Sequence, residues 1–115
     1  MTIQIFGTKK CKDTAKAIRF FKERRIPVQF IDLAEKSISP GEFRNIIRYI
    51  DPEDLIDREG KQYKKRQLEY MKFDIEEELM NDPLLFRTPI VRSSLGVTVG
   101  HESDTWKEWV KQMQE

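Results

Sequence analysis

Cys11 is the one cysteine in this 115-residue chain, and the residues around it are the first place to look for chemistry. It lies in the stretch Gly7–Thr14, GTKKCKDT, where an apolar-alternating run gives way to a helical pattern. A thiol becomes a nucleophile when its thiolate is stabilised. A helix N-terminus does this through its dipole and its unpaired N–H groups, and neighbouring cations add to the effect. Lys9, Lys10 and Lys12 flank the cysteine, and Lys16 follows one turn on. Thr14, three residues later, can place a hydroxyl within reach of the sulfur. The same residues have a plainer reading, with Cys11 a small core side chain and the lysines a solvated surface. A second feature bears on the choice. Thr88-Pro89 opens a later strand-like run, where proline either starts an edge strand or forms a cis bond that brings a backbone edge against the thiol.

The elements that must hold these residues follow from hydrophobic periodicity. Ile3 and Ile5 alternate with Gln4, so Thr2–Phe6 reads as a strand ended by Gly7. A helix follows from about Cys11–Asp13 to Arg24–Arg25, with Thr14, Ala17, Ile18 and Phe21 on one side, and Pro27 stops it. Val28–Leu33 is a second strand, which makes a βαβ unit with parallel pairing and a right-handed crossover. Ser39, Pro40 and Glu42 then form a capping box with proline at the first helical position. Phe43, Ile46, Ile47 and Ile50 give that helix its apolar face, and Asp51-Pro52 ends it. From there to about Phe86 the chain is charged and reads as helical pieces, the clearest over Asp74–Met80 with Asp74 as cap. Pro89–Arg92 and Val97–Val99 read as a hairpin around Ser-Ser-Leu-Gly. Ser103 is the expected cap of a last helix whose Trp106, Trp109, Val110 and Met113 face the sheet.

Composition narrows the function classes. Lys+Arg 21 against Asp+Glu 20 leaves a net charge of +1, without the basic excess of a nucleic-acid binder, and no direct nucleic-acid contact is expected. One cysteine cannot make an internal disulfide, and one histidine argues against a Cys/His zinc site, so no metal is expected. No apolar run approaches the roughly 20 residues that span a bilayer, and the N-terminus does not read as a signal peptide. A cytoplasmic protein with no membrane contact is the expectation.

Three motifs taken in order carry a resemblance. They are Gly-x-x-x-Cys-x-x-Thr at Gly7–Thr14, Arg-Thr-Pro-Ile-Val at Arg87–Val91, and Val-Gly-His at Val99–His101 leading into the last helix. Together they resemble the ArsC/Spx family of the thioredoxin superfamily, over nearly the whole chain. The resemblance implies an α/β, thioredoxin-like fold: a small mixed sheet flanked by helices, as one domain over residues 1–115. A helical insertion, at about residues 38–84, separates its βαβ and ββα halves. It implies that Cys11 is the redox-active or nucleophilic residue. In the family's arsenate reductases the thiolate attacks arsenate, arginines hold the oxyanion, and glutathione with glutaredoxin reduces the adduct. Arg58, in Ile-Asp-Arg-Glu-Gly, matches such an arginine, with a solvated side chain in a charged segment as the alternative. Thr14, Arg87, Thr88 and Pro89 complete the substrate-binding set that the resemblance implies.

The chain also departs from those reductases. Thr88 stands where they carry arginine directly before the proline, with Arg87 one residue earlier. Gly7 stands where they carry histidine, and Lys12 where glycine follows the cysteine. Ala15 replaces an arginine four residues on, with Lys16 adjacent, and His101 another arginine near the last helix. Thr14 occupies the place of the second cysteine in the Cys-x-x-Cys switch of the Spx branch, whose members bind RNA polymerase.

The first expectation is therefore a single-cysteine oxidoreductase. Its Cys11 thiolate attacks an arsenate-like oxyanion or a disulfide and is resolved by an external thiol. No cofactor is bound, and glutathione or glutaredoxin is the reductant. The alternative is an Spx-like module that contacts RNA polymerase without a disulfide switch.

Overall fold

A computed structural model describes residues 2–114. Its element order is β1 (Ile3–Gly7), α1 (Lys12–Glu23), β2 (Val28–Asp32), α2 (Pro40–Ile47), α3 (Pro52–Leu55), α4 (Lys61–Lys65), α5 (Ile75–Asn81), β3 (Ile90–Ser93), β4 (Gly96–Val99) and α6 (Ser103–Met113). Short 3₁₀ turns at Leu68–Tyr70 and Pro83–Leu85 flank α5. The four strands form one mixed sheet in the order β2-β1-β3-β4. β1 runs parallel to β2 across the α1 connection, and the β1–β3 and β3–β4 pairs are antiparallel. This is the thioredoxin-like fold, a βαβ half and a ββα half with a helical segment between them. The contacts divide the chain into two compact units, Met1–Asp32 with Thr88–Glu115, and Leu33–Arg87.

The first unit owes its order to two-residue alternation in the strands. Ile3 and Ile5 share a face of β1, and Val91 lies opposite Ile5. These three join Ala17 and Phe21 of α1 and Trp106, Trp109 and Val110 of α6 in one buried cluster. The Phe21 and Trp106 rings are 5.8 Å apart, and the Trp106 indole N–H donates to the buried Thr98 hydroxyl at 2.8 Å. The tryptophans pack on the sheet as their spacing suggests. On the other face Phe6 stands beside Ile31 and Ile90, all three buried.

Local rules misplace three boundaries here. β1 does not stop at Phe6 but includes Gly7 as its last residue, paired with Asp32. Ser103 is not the cap of α6 but its first residue. The first helical bond runs from Trp106 N–H back to the Glu102 carbonyl at 3.1 Å, so Glu102 holds the cap position, without a side-chain bond. The hairpin turn is tighter than Ser-Ser-Leu-Gly, because Ser93 and Gly96 pair and leave Ser94 and Leu95 between the strands.

In the second unit, caps define the helices. Ser39 and Glu42 close the capping box of α2, with bonds of 3.2 Å and 3.0 Å. Asp51 accepts from Glu53 N–H at 2.9 Å, so Asp51-Pro52 opens α3 as well as following α2. Asp74 caps α5 as expected, accepting from Glu77 N–H at 3.2 Å. Phe43, Ile46, Leu55, Leu79 and Leu85 are buried. An isolated antiparallel bridge joins Ile56 to Phe86.

Candidate functional site

The site is built where β1 hands over to α1. Gly7 ends the strand, Thr8–Lys10 make the turn, and Cys11 is the N-cap of α1 with extended backbone angles, φ −79 and ψ 117. Cys11 is half-buried. Thr88 and Pro89 arrive from the chain entering β3, and the Thr88-Pro89 peptide is cis. Of the two readings of that proline, the cis one holds.

Thr88 grips the sulfur twice. Its hydroxyl donates to Cys11 Sγ at 3.2 Å, and the thiol in turn donates to the Thr88 carbonyl oxygen at 3.8 Å. Burial raises the thiol's affinity for its proton, but hydrogen bonding outweighs it. The hydroxyls of Thr14 and Thr88 and the backbone N–H groups of Thr14 and Asp13 favour the charged form, and the Cys11 thiol is held below the ordinary thiol range. The flanking lysines do not carry this lowering. Lys9, Lys10, Lys12 and Lys16 are all exposed, where water screens their charge, while the hydroxyls and N–H groups act at contact.

Thr14 is the third helical residue of α1 and is 1% exposed. Its hydroxyl has no partner that meets hydrogen-bond geometry, although its nearness to the sulfur favours the thiolate. Both hold in the thiol form. While the sulfur keeps its proton, that proton serves the Thr88 carbonyl, and the Thr14 hydroxyl waits.

The structure thus brings together Cys11, Thr14, Thr88 and Pro89 within the first unit. Arg58 and Arg87 belong to the second, where each has partners of its own. Arg58 donates to Tyr63 Oη and to Glu53 Oε2, both at 2.9 Å, and its guanidinium lies 5.7 Å from the centre of the Tyr63 ring. Arg87 donates through its side chain to the Asp54 carbonyl at 3.2 Å and through its backbone N–H to the Leu55 carbonyl at 2.6 Å. His101 stacks edge-on against Trp106, with ring centres 5.4 Å apart. Among the described residues no group of His, Cys, Asp and Glu is placed to hold a metal ion, and no helix is long and apolar enough to cross a membrane.

Sequence reasoning set Gly7 at the strand end and in the motif, but gave it no part in holding the thiol site. A Cβ there would lie 2.3 Å from Thr14 Oγ1, so the strand end and the helix start share one small volume. The only signal in the chain is a glycine four residues before the cysteine.

A model of the ArsC family matches residues 6–109. Solved structures repeat the architecture. An ArsC-family-related protein of Bacteroides fragilis is 20% identical, with 94% of this chain and 97% of that one covered and a TM-score of 0.78. An arsenate reductase of Vibrio cholerae is 18% identical, with 94% and 97% covered and a TM-score of 0.77. A Staphylococcus aureus protein is 24% identical, with 92% and 96% covered and a TM-score of 0.73. At these identities the likeness speaks for the fold. Among curated proteins none matches the sequence.

Proposed function

The chain belongs to the ArsC family, and from that premise we propose that it is a single-cysteine, arsenate reductase-like oxidoreductase working through Cys11. The observation that carries this reading is the seating of the sulfur. It sits at a helix N-cap against Thr88, with hydroxyl and N–H donors holding the thiol below its ordinary range. Such a thiol carries a larger thiolate fraction than a free cysteine at the same pH.

On a disulfide, the Cys11 thiolate forms a new S–S bond to one sulfur and the other leaves as thiolate. An external thiolate then attacks the mixed disulfide, releasing Cys11 and taking the bound half into a new disulfide, and a second external thiolate frees that half, so the electrons come from two external thiols. On an arsenate-like oxyanion, the sulfur displaces one oxygen as water and forms an S–As bond. Attack by external thiol then yields a disulfide and the centre reduced by two electrons. Both routes need a resolving thiol from outside, because the chain has a single cysteine. Glutathione, with glutaredoxin to clear the mixed disulfide, is the reductant of choice. A glutathione-rich cytoplasm is the compartment in which the cycle would turn. The thiolate is held by Thr14, Thr88 and the first N–H groups of α1, and Pro89 fixes the approach of the Thr88 backbone.

Incubation with oxidised glutathione followed by mass spectrometry tests the thiol step, and an arsenate-reduction assay with glutathione and glutaredoxin tests the substrate. Wild type should gain one glutathione at Cys11, and Cys11→Ser none. A wild-type thiol that forms no adduct, or that titrates like free cysteine near ~8.5, would overturn the proposal.

A further inference from the structure

Most buried hydroxyls in folded proteins have a hydrogen-bond partner. The Thr14 hydroxyl, on a side chain 1% exposed, has none. What holds it there is an absence. Gly7 pairs with Asp32 of β2, and its φ is not among the positive values of the described residues, so its backbone would accept any residue. The requirement for glycine is one of volume. A Cβ at position 7 would lie 2.3 Å from Thr14 Oγ1, 2.5 Å from Cγ2 and 3.0 Å from Cβ, and its three nearest neighbours all belong to that one side chain. A separation of 2.3 Å asks for more than a few tenths of an ångström, and the Thr14 Cα lies in the first turn of α1, which the Ala15 N–H closes on the Cys11 carbonyl at 3.2 Å.

We propose that Gly7 is a positioning residue of the thiol site: the volume it leaves empty keeps the Thr14 side chain in the one rotamer that reserves its hydroxyl for the Cys11 sulfur. Cys11 and Thr14 occupy the N-cap and third positions of α1, the pair whose groups meet in a capping box. In the thiol form the sulfur gives its proton to the Thr88 carbonyl and accepts one hydroxyl, from Thr88. When the proton leaves, the sulfur becomes acceptor only, and the waiting Thr14 hydroxyl becomes its second donor. Any side chain at position 7 turns that hydroxyl away. The inference deepens the thiol reading above and rests on it, but it concerns ionisation and not substrate.

The test titrates Cys11, the chain's only cysteine, by the pH dependence of its alkylation with iodoacetamide, in Gly7→Ala, Thr14→Ala, Thr14→Ser and the Gly7→Ala/Thr14→Ala pair. Thr14→Ala and Gly7→Ala should each move the midpoint to higher pH. Below the midpoint the thiolate fraction should fall about tenfold, as expected for one lost hydrogen bond to a charged group. Thr14→Ser keeps the hydroxyl and should keep the wild-type midpoint. The pair should match Thr14→Ala alone, since no hydroxyl remains to displace. A midpoint unmoved in Gly7→Ala, or a further shift in the pair, would overturn the inference. If Gly7→Ala alone does not fold, the pair still decides. Thr14→Ala removes the two closest clashing atoms, so recovered folding with the Thr14→Ala midpoint supports the proposal, and failure to recover sinks it. A normal glutathione adduct with no midpoint shift would leave the oxidoreductase reading standing and remove this one.

Discussion

The two units of the chain each contain a partly buried polar cluster, and the two are built on opposite terms. Around Cys11 the bonds are left incomplete: one sulfur contact is long, at 3.8 Å, and the Thr14 hydroxyl has no partner. Around Arg66 each charge has its opposite. Its guanidinium spans Glu78 at 2.5 Å and Asp82 at 3.1 Å, and Gln62 adds a bond of 2.6 Å to the same Asp82 oxygen. The Arg66 group ties the end of α4 to α5 through paired charges. The thiol cluster leaves a buried hydroxyl without a partner in its resting form, and its donors favour the charged one. A structural cluster satisfies its charges in the ground state, whereas a reactive one is complementary to a state it has yet to reach. The first should respond to mutation in stability, the second in ionisation.

The largest effect expected is on the core that α1 packs into. Phe21 is 0% exposed against Trp106, and Phe21→Ala should cost about 3–5 kcal/mol by urea unfolding. A loss below 1 kcal/mol would mean that α1 does not need this packing to hold Cys11. Next comes Arg66→Ala. It leaves Glu78 and Asp82, with side chains 23% and 17% exposed, as like charges without a cation. A cost of about 2 kcal/mol is expected, between the values for surface and buried pairs. Adding salt should shrink it only slightly. Arg58→Ala should cost less, about 1 kcal/mol or under, because both side chains of its pair with Glu53 are about half exposed. If Arg58→Ala proves the costlier of the two, the contrast between a closed and an open cluster has been drawn in the wrong place.

What the sequence could show follows from how far each interaction reaches along the chain. The Ser39–Glu42 capping box is a contact between residues three apart, and it was legible because both partners lie in one window. The same holds for Asp74 over α5, and for the apolar faces of α1 and α6. Ser103 was misleading for the same reason: a good capping residue stood next to the true cap, and only the bond from Trp106 to Glu102 decides between them. At the thiol the lysines were conspicuous because they are adjacent, but they do not tune it. Thr88, 77 residues away, does, and its contact exists only once β3 pairs with β1. The residues left two readings of the Thr88-Pro89 step, and the resemblance to a known family favoured the one that sets it in one site with Cys11. It could not supply the volume shared by Gly7 and Thr14. That depends on where a strand end meets the first turn of a helix, and no pattern of residue types encodes it.

The smallest effect expected is also the most direct probe of the contrast. The Cys11 thiol is lowered in the folded chain, because the donors from Thr14, Thr88 and the start of α1 outweigh the opposing effect of burial. In the unfolded chain those donors are gone and the thiol titrates near ~8.5. Between the folded value and that one, the folded chain binds fewer protons than the unfolded chain, so stability rises with pH across this window. The contribution is fully present above the unfolded value and is lost as pH falls through the folded one. Urea unfolding of wild type and Cys11→Ser, compared at pH 6 and pH 9, isolates it, since the other titrating groups are common to both chains. Wild type should gain on Cys11→Ser between the two pH values, and Thr14→Ala should gain less than wild type. Parallel behaviour of wild type and Cys11→Ser would show that the donors around the sulfur serve the thiol and the thiolate equally. The site would then be as closed as the cluster around Arg66.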